Sequence, residues 1–308
     1  MNFEHVFDQL ELTTDPFAVC ELRGECDLGL GQDANATLHY ILAGEGAILI
    51  RGEPAIEVSP GSLVLIPALQ SHALRSFGRP GEPVPKCDPA ELKLRHVLEV
   101  SRDGGDDNQV IALCARVRVG LRGAEDVIDL IRSPIVERID PDNPLRPVLN
   151  MILQELSRPT TGSRAMIRSL LTQCMIELLR RRVVHDDEGL RWMAALRDPS
   201  VWEALRALLD APGDAHTVES LAARVGMSRS TFAQRFAAAY GSGPIELLRD
   251  LRLHRAARLL RDSDLPVKTI AHSVGFSSRT AFSRLFEQRT GQSPIQYRQQ
   301  QISQRQIL

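Results

Sequence analysis

No uncharged apolar stretch in the chain approaches the ~18–20 residues needed to span a bilayer, and the acidic start MNFEHVFDQLEL lacks the basic segment of a secretion signal. Both absences argue against membrane insertion or export and predict a soluble, cytoplasmic protein. Cysteine is sparse: Cys20, Cys26, Cys87, Cys114 and Cys174 are widely spaced, odd in number and without a CxxC pair. Such a set suggests neither a disulfide framework nor a zinc finger, so the thiols read as reduced. Compositional bias is also missing. With 43% hydrophobic and 25% charged residues, a disordered chain, a collagen-like fibre and a disulfide-rich miniprotein are excluded, and 308 residues suit about two domains.

A formal net charge of only −2 would ordinarily count against a nucleic-acid partner, but the sum hides two opposed parts. From residue 195 onward 16 Lys and Arg face 10 Asp and Glu, a balance of +6, while residues 1–194 carry −8. The basic surface belongs to the C-terminal third.

Along the first hundred or so residues, apolar bursts such as LHYIL, AILI, AIEV and SLVLIP alternate with glycine and proline turns, the pattern of an antiparallel sandwich or barrel. RSFGRPGEPVPKCDPAE reads as an excursion loop before two further strands, LKLRHVLEV and QVIALCARVRVG, joined by a turn at 101–108. After about residue 123 the spacing becomes helical. PLRPVLNMILQEL places Leu145, Val148, Ile152 and Leu156 on one face, and SRAMIRSLLTQCMIELLRRRVV does the same with Met166, Leu170, Cys174 and Leu178. The second of these ends in Arg180, Arg181 and Arg182, where cations suit a helix C-terminus. These helices are expected to pair two protomers. The polar HDDEG at 185–189 marks a boundary between a front domain, 1–188, and a helical domain, 189–308.

An internal repeat is the strongest signal in the chain. VESLAARVGMSRSTFAQRFAAAYGSGPIELL at 218–248 parallels VKTIAHSVGFSSRTAFSRLFEQRTGQSPIQYR, which begins at 267. Val218, Gly226 and Ser228 match Val267, Gly275 and Ser277 at an offset of 49. Phe232, Phe236, Gly241 and Pro244 match Phe282, Phe286, Gly291 and Pro294 at an offset of 50. Each copy is a short helix, a glycine-containing turn and a second helix, about 218–241 and 267–291, which is helix-turn-helix grammar. The paired phenylalanines fill a core and leave the opposite face polar and basic. Helices of this kind enter the major groove, where Arg bonds bidentately to guanine and Gln to adenine. The residues expected to face base edges are Ser230, Thr231 and Gln234 in the first unit and Arg279, Thr280, Ser283 and Arg284 in the second, with Arg229 and Arg235 flanking. Any one of these arginines could instead be a phosphate contact or a solvated charge. The intervening ELLRDLRLHRAARLLRDSD, with Leu248, Leu251, Ala256 and Leu259 inward, is a rigid spacer. Two readers held about one DNA turn apart, ~34 Å, would read adjacent boxes from one side.

Residues 190–299 resemble the AraC/XylS-type DNA-binding domain, most specifically in VGFSSRTAFSRLFEQRTGQSPIQYR. Ser230 and Gln234 stand where many members have Arg, which puts the first unit's base preference in doubt. LHYILAGEGAILIRGEPAIEVSPGSLVLIPALQSHAL resembles the cupin barrel at the front of many such regulators. Gly61, Pro67 and His72 fit the second cupin motif, whereas Leu69 stands where glycine is usual and Ser76 where asparagine is usual. In the first motif Thr37 occupies the glutamate position and the histidine pair is missing, although His39 lies two residues on, on the same side of its strand.

The resemblance implies an α+β multidomain regulator: a cupin-like β-barrel with a helical dimerisation segment, then an all-α tandem helix-turn-helix domain. It implies a homodimer acting as an activator on double-stranded promoter DNA with RNA polymerase, responding to an unidentified small-molecule or oxidant effector, with no resident cofactor. His39 and His72 could hold a metal, line an effector pocket, or simply pack; two histidines alone fall short of the several N and O donors a cupin metal wants. Cys114 is expected on the same strand face as Arg116 and Arg118, whose charge would favour a reactive thiolate, and Cys20 has Arg23 close by. A related subgroup senses oxidants through thiols at similar places, and the alternative for each thiol is a small core residue. The rival readings are a cupin-type metal-dependent enzyme with an accessory DNA-binding module and a protein-binding adaptor. Against the enzyme stand the depleted ligand set, the lack of a paired acid and base, and the lack of a nucleophile beside a histidine at recognisable spacing.

Overall fold

The computed structural model describes residues 7–8, 10–77, 84–89, 109–121, 127–139, 142–184 and 198–307. They form two compact units, one built chiefly from Leu12–Arg118 and Ser133–Arg181, the other from Val119–Arg132 and Arg182–Gln306. The division is not a single cut: Val119–Arg132, well before the expected boundary, groups with the helical unit. The boundary segment 185–189, the expected strand LKLRHVLEV and the turn after it lie outside the described residues.

The strand-rich unit contains β1 (Leu10–Arg23), β2 (Glu25–Gly31), β3 (Ala36–Ala43), β4 (Gly46–Ile50), β5 (Ile56–Val58), β6 (Ser62–Ile66), β7 (His72–Phe77), β8 (Val84–Pro89), β9 (Gln109–Leu121) and β10 (Ile135–Arg138). A six-stranded sheet runs β10-β6-β3-β9-β1-β8 and a four-stranded sheet runs β2-β7-β4-β5. Burial explains the two sequence textures. β6 and most of β3 are buried on both faces, so SLVLI is a continuous apolar run, whereas β2 alternates because one face meets solvent. One apolar core joins the sheets, with Cys20, Leu22, Ile41, Val64, Ala112 and Cys114 from the larger and Ile48, Ile50, Val58 and Leu74 from the smaller. Close approach forces one glycine: a Cβ on Gly46 would sit 2.1 Å from the Arg75 carbonyl oxygen. Residues 135–138 fall in the stretch read as helical from about 123, but they return as β10 to pair with β6. A four-residue strand leaves too short a pattern to overrule the helical periodicity around it.

Two helices complete this unit, α1 (Arg146–Ser157) and α2 (Ser163–Val184). Leu145, Val148, Ile152 and Leu156 are buried as expected, as are Leu170, Cys174 and Leu178. Met166, placed on that same face from sequence, is 44% exposed. Its stripe drifts, because a strict four-residue step outruns the 3.6-residue turn. These helices bury their apolar faces within their own unit: Thr14 Oγ1 donates to the Arg168 carbonyl at 2.8 Å, and Arg181 pairs with Glu137 of β10 at 3.3 Å.

The helical unit contains a 3-10 turn at Val127–Leu130 and helices α3 (Pro199–Asp210), α4 (Val218–Arg224), α5 (Arg229–Tyr240), α6 (Pro244–Asp262), α7 (Val267–Ser273), α8 (Arg279–Thr290) and α9 (Pro294–Ile307). The α4–α5 and α7–α8 pairs are the two helix-turn-helix units. Between them α6 has 19 residues and so runs about 28 Å. It is buried more widely than one stripe, at Leu247, Leu248, Leu251, Leu253, His254, Ala256, Ala257 and Leu260, while Leu259 is only half-buried. No helix among the described residues is long and apolar enough to cross a membrane.

Candidate functional site

Each second helix of the repeat starts on a serine and stops on a glycine. Ser228 caps α5 by accepting from the Thr231 amide, and Ser278 caps α8 by accepting from the Ala281 amide. The capping serine of the second copy is Ser278, one residue beyond the Ser277 that matches Ser228 at the offset of 49. The extra residue of the second copy lies in its turn, which is where the offset changes from 49 to 50. Gly241 and Gly291 end the helices in the left-handed region, with φ of 89° and 74°. Phe282 packs on Phe286 at 5.5 Å between ring centroids, and Phe286 on Tyr297 at 5.4 Å. Arg298 donates to the Leu265 carbonyl at 2.6 Å. The closing GQSPIQYR is thus a stop, a helix start at Pro294 and two side chains that fasten α9 to the reader.

Burying the phenylalanines turns the expected contact residues outward. Ser230, Thr231, Gln234, Arg279, Thr280 and Arg284 are exposed and Ser283 is half-buried. Arg279 and Arg284 bind no other side chain among the described residues, so both guanidiniums are available. The first unit differs. Arg229 pairs with Glu219 at 2.9 Å, and Arg235 pairs with Asp198, whose other oxygen accepts from the Ser200 and Val201 amides at the start of α3. Arg235 is thereby engaged in holding α5 to α3.

In the strand-rich unit the two separate leads meet. Pairing places His39 of β3 opposite Val64 of β6 on one side and Cys114 of β9 on the other, and Cys20 of β1 stands opposite Cys87 of β8 in register. The Cys20 and Cys114 sulfurs lie 3.5 Å apart. His39 Nδ1 is 3.2 Å from Cys114 Sγ, and His39 Nε2 is 2.8 Å from Nε2 of His72, which reaches in from the other sheet. All four residues are buried. Burial drives the His39 pKa well below its ordinary value, helped by His72; burial also lowers that of His72, against the Gln70 carbonyl and Asp33.

Two neutral imidazoles have one consistent proton arrangement. The Gln70 carbonyl only accepts, so His72 Nδ1–H donates to it at 3.1 Å and leaves Nε2 bare. His39 Nε2–H then donates to His72, and His39 Nδ1 is left to accept from the Cys114 thiol. The sequence offered no nucleophile beside a histidine. The structure supplies one, across 75 residues of chain.

The expected cationic activation of Cys114 is not present. Arg116 pairs with Asp33 at 2.7 Å and lies over the Phe17 ring at 4.5 Å, and Arg118 is exposed. They share the strand face with Cys114 but sit toward its solvent end. The Arg23 side chain lies outside the described residues. The metal and effector-pocket readings gain no geometry either: the imidazoles touch one another directly, and among the described residues no group of three His, Cys, Asp or Glu is placed to hold a metal ion. Leu69, noted for standing where glycine is usual, has φ 61° and is buried. The turn keeps a glycine-type conformation around a leucine side chain.

Comparison with known proteins covers both units. A helix-turn-helix domain model matches residues 221–300 and a cupin model matches residues 2–183. A putative AraC-like transcription regulator of Streptomyces lividans is 33% identical over 79% of this chain and 79% of that protein. The HTH-type transcriptional regulator AlkR of Acinetobacter baylyi is 28% identical over 96% of this chain and 98% of that protein. The crystal structure of the DNA-binding domain of AdpA in complex with a target DNA is 38% identical, covering 35% of this chain and 96% of that one with a TM-score of 0.33.

Proposed function

The chain belongs to the AraC-like transcription regulators with a cupin front domain, and from that premise we propose that its signal is an oxidant read by Cys20 and Cys114. The observation that carries this is the 3.5 Å separation of the two sulfurs in an interior that holds a hydrogen-bond acceptor for the Cys114 proton. A small neutral oxidant, hypochlorous acid, fits two fully buried thiols. Cys114 sulfur attacks chlorine, His39 Nδ1 takes the thiol proton, and hydroxide leaves and becomes water. Cys20 sulfur then displaces chloride, losing its own proton, so that one hypochlorous acid and two thiols give one disulfide, water and hydrogen chloride. No cation adjoins Cys114 among the described residues, so a strong electrophile is favoured over a mild peroxide.

On DNA, Arg279, Thr280, Ser283 and Arg284 read base edges in one box and Ser230, Thr231 and Gln234 in the next. Arg229 supplies a phosphate contact once it leaves Glu219, and Arg235 positions α5. The regulator acts in the cytoplasm as a homodimer with RNA polymerase, its pairing surface the exposed side of α2 that carries Met166 and Ile176. The barrel has no catalytic role. A signal changes occupancy only through unequal stabilisation of two arrangements of the molecule.

The test is mass spectrometry after mild hypochlorite or peroxide treatment, run beside a promoter-binding assay. A loss of two hydrogens linking the Cys20 and Cys114 peptides is expected, with a change in affinity that Cys20→Ser and Cys114→Ser abolish. Unmodified thiols with unaltered DNA binding would remove the oxidant reading and leave the DNA-binding assignment in place.

A further inference from the structure

α6 carries a polar stripe with no reason to exist in a simple spacer. Glu246, Asp250, His254 and Arg258 recur every four residues, so they lie along one side of the helix. The residues facing them come from the far side of the chain's order, the segment Val127–Arg132 that begins six residues after β9 ends. The charges match end to end. Arg132 donates to Ser242 Oγ at 2.9 Å and to Glu246 at 3.2 Å, and also binds Asp250. Asp129 Oδ2 accepts from Arg258 at 2.8 Å, and its Oδ1 lies 3.0 Å from His254 Nδ1. The Tyr240 hydroxyl, at the end of the first reading helix, donates to the Leu130 carbonyl at 3.2 Å. Val127, Ile128, Leu130 and Ile131 are buried between these anchors.

Asp129 is 3% exposed. Burial raises its pKa, yet Arg258 and His254 more than reverse this and hold it at about 2. Apolar residues of similar volume would close such a joint with less desolvation. What a buried charge pattern adds is register: the segment fits α6 in one position, and a slip by one turn sets Arg132 against His254.

We propose that residues 127–132 are a transmission clamp, a positioning device that ties the helix between the two DNA readers to the strand carrying Cys114, so that a change in β9 reaches the readers through Asp129 and Arg132. This rests on the oxidant reading for the nature of the signal but not for the clamp itself.

The test uses the full chain with Arg132→Ala, Asp129→Asn and the exchanged pair Arg132→Asp with Asp250→Arg. Three quantities are read: hydrogen exchange of residues 127–132 and 244–262 in reduced protein, disulfide formation by mass spectrometry, and promoter affinity before and after hypochlorite. The wild-type affinities are expected to differ at least ~5-fold between the two states. In Arg132→Ala and Asp129→Asn the disulfide still forms, segment exchange speeds up about tenfold and the affinity ratio falls toward one. The exchanged pair restores the ratio. Variants that keep the full ratio, or whose exchange is unchanged, overturn the clamp. A wild-type affinity that ignores hypochlorite instead overturns the oxidant reading, and the exchange data then decide separately whether the clamp positions α6.

Discussion

Lowering the pH from 7.5 to 5.5 should loosen the strand-rich unit by an amount set by His39 and His72. In the fold both imidazoles are neutral, because burial opposes charging them and each faces the other. In the unfolded chain each titrates near 6.5. Below that pH the unfolded state binds protons the folded state refuses, so their contribution is full at pH 7.5 and is lost as the pH falls. A histidine that stays neutral in the fold while its unfolded counterpart titrates loses about 1.4 kcal/mol over this interval. His39, which burial holds well below its ordinary value, contributes about this much; His72, whose shift the Gln70 carbonyl and Asp33 oppose, adds up to the same again. Hydrogen exchange of the β3 and β9 amides reports the opening free energy at each pH. The wild type should lose about 1.4–2.7 kcal/mol, and His39→Gln with His72→Gln should flatten the profile. A wild type already flat across this window, or a double variant with the same loss, would show that the imidazoles are charged or solvated and would dismantle the proton arrangement of His39 and His72.

Three further outcomes are expected. Arg284→Ala should lose about 1–3 kcal/mol on the cognate site with relaxed preference at one base, whereas equal losses on cognate and random DNA in a binding titration would make it a backbone contact. Asp198→Ala should lower the melting temperature of the helical unit and weaken all DNA sequences alike, since it removes both the α3 cap and the Arg235 anchor; a sequence-dependent effect would return Arg235 to the base readers. Cys174, whose pKa burial raises to about 12, should stay unalkylated by iodoacetamide at pH 8 in folded protein, and rapid labelling there would refute its packing.

The tandem readers were legible because each is a local pattern. Phe232, Phe236, Gly241 and their partners at 282, 286 and 291 set helix phase and helix end within a dozen residues, and that alone turns the arginine face outward. The fate of individual arginines was not legible. The repeat sets Arg284 against Gln234 and leaves Arg235 as a flanking residue, but no spacing rule shows that the carboxylate of Asp198, brought close by α3, takes Arg235. Strand textures were readable where a whole run was buried, as in β6, and failed for β10, four residues long inside helical surroundings.

Polar contacts between residues far apart in the chain lay beyond sequence reasoning, and both polar clusters described above are of that kind. Cys20, His39, His72 and Cys114 stand out in the sequence only as two thiols and two imidazoles, because strand order brings β1 beside β9 and β9 beside β3 and no spacing rule encodes that order. Asp129 and Arg132 form no local motif of their own. Their signal was present as the four-residue rhythm of Glu246, Asp250, His254 and Arg258, polar residues on a helix that elsewhere buries leucine and alanine. A spacer facing water on that side would leave His254 exposed, and it is 3% exposed. A rhythm of polar and charged residues on a mostly buried helix therefore demands a complementary partner, and a short segment carrying an acid and a base three residues apart with apolar neighbours is such a partner. VIDLIR, residues 127–132, answers that description.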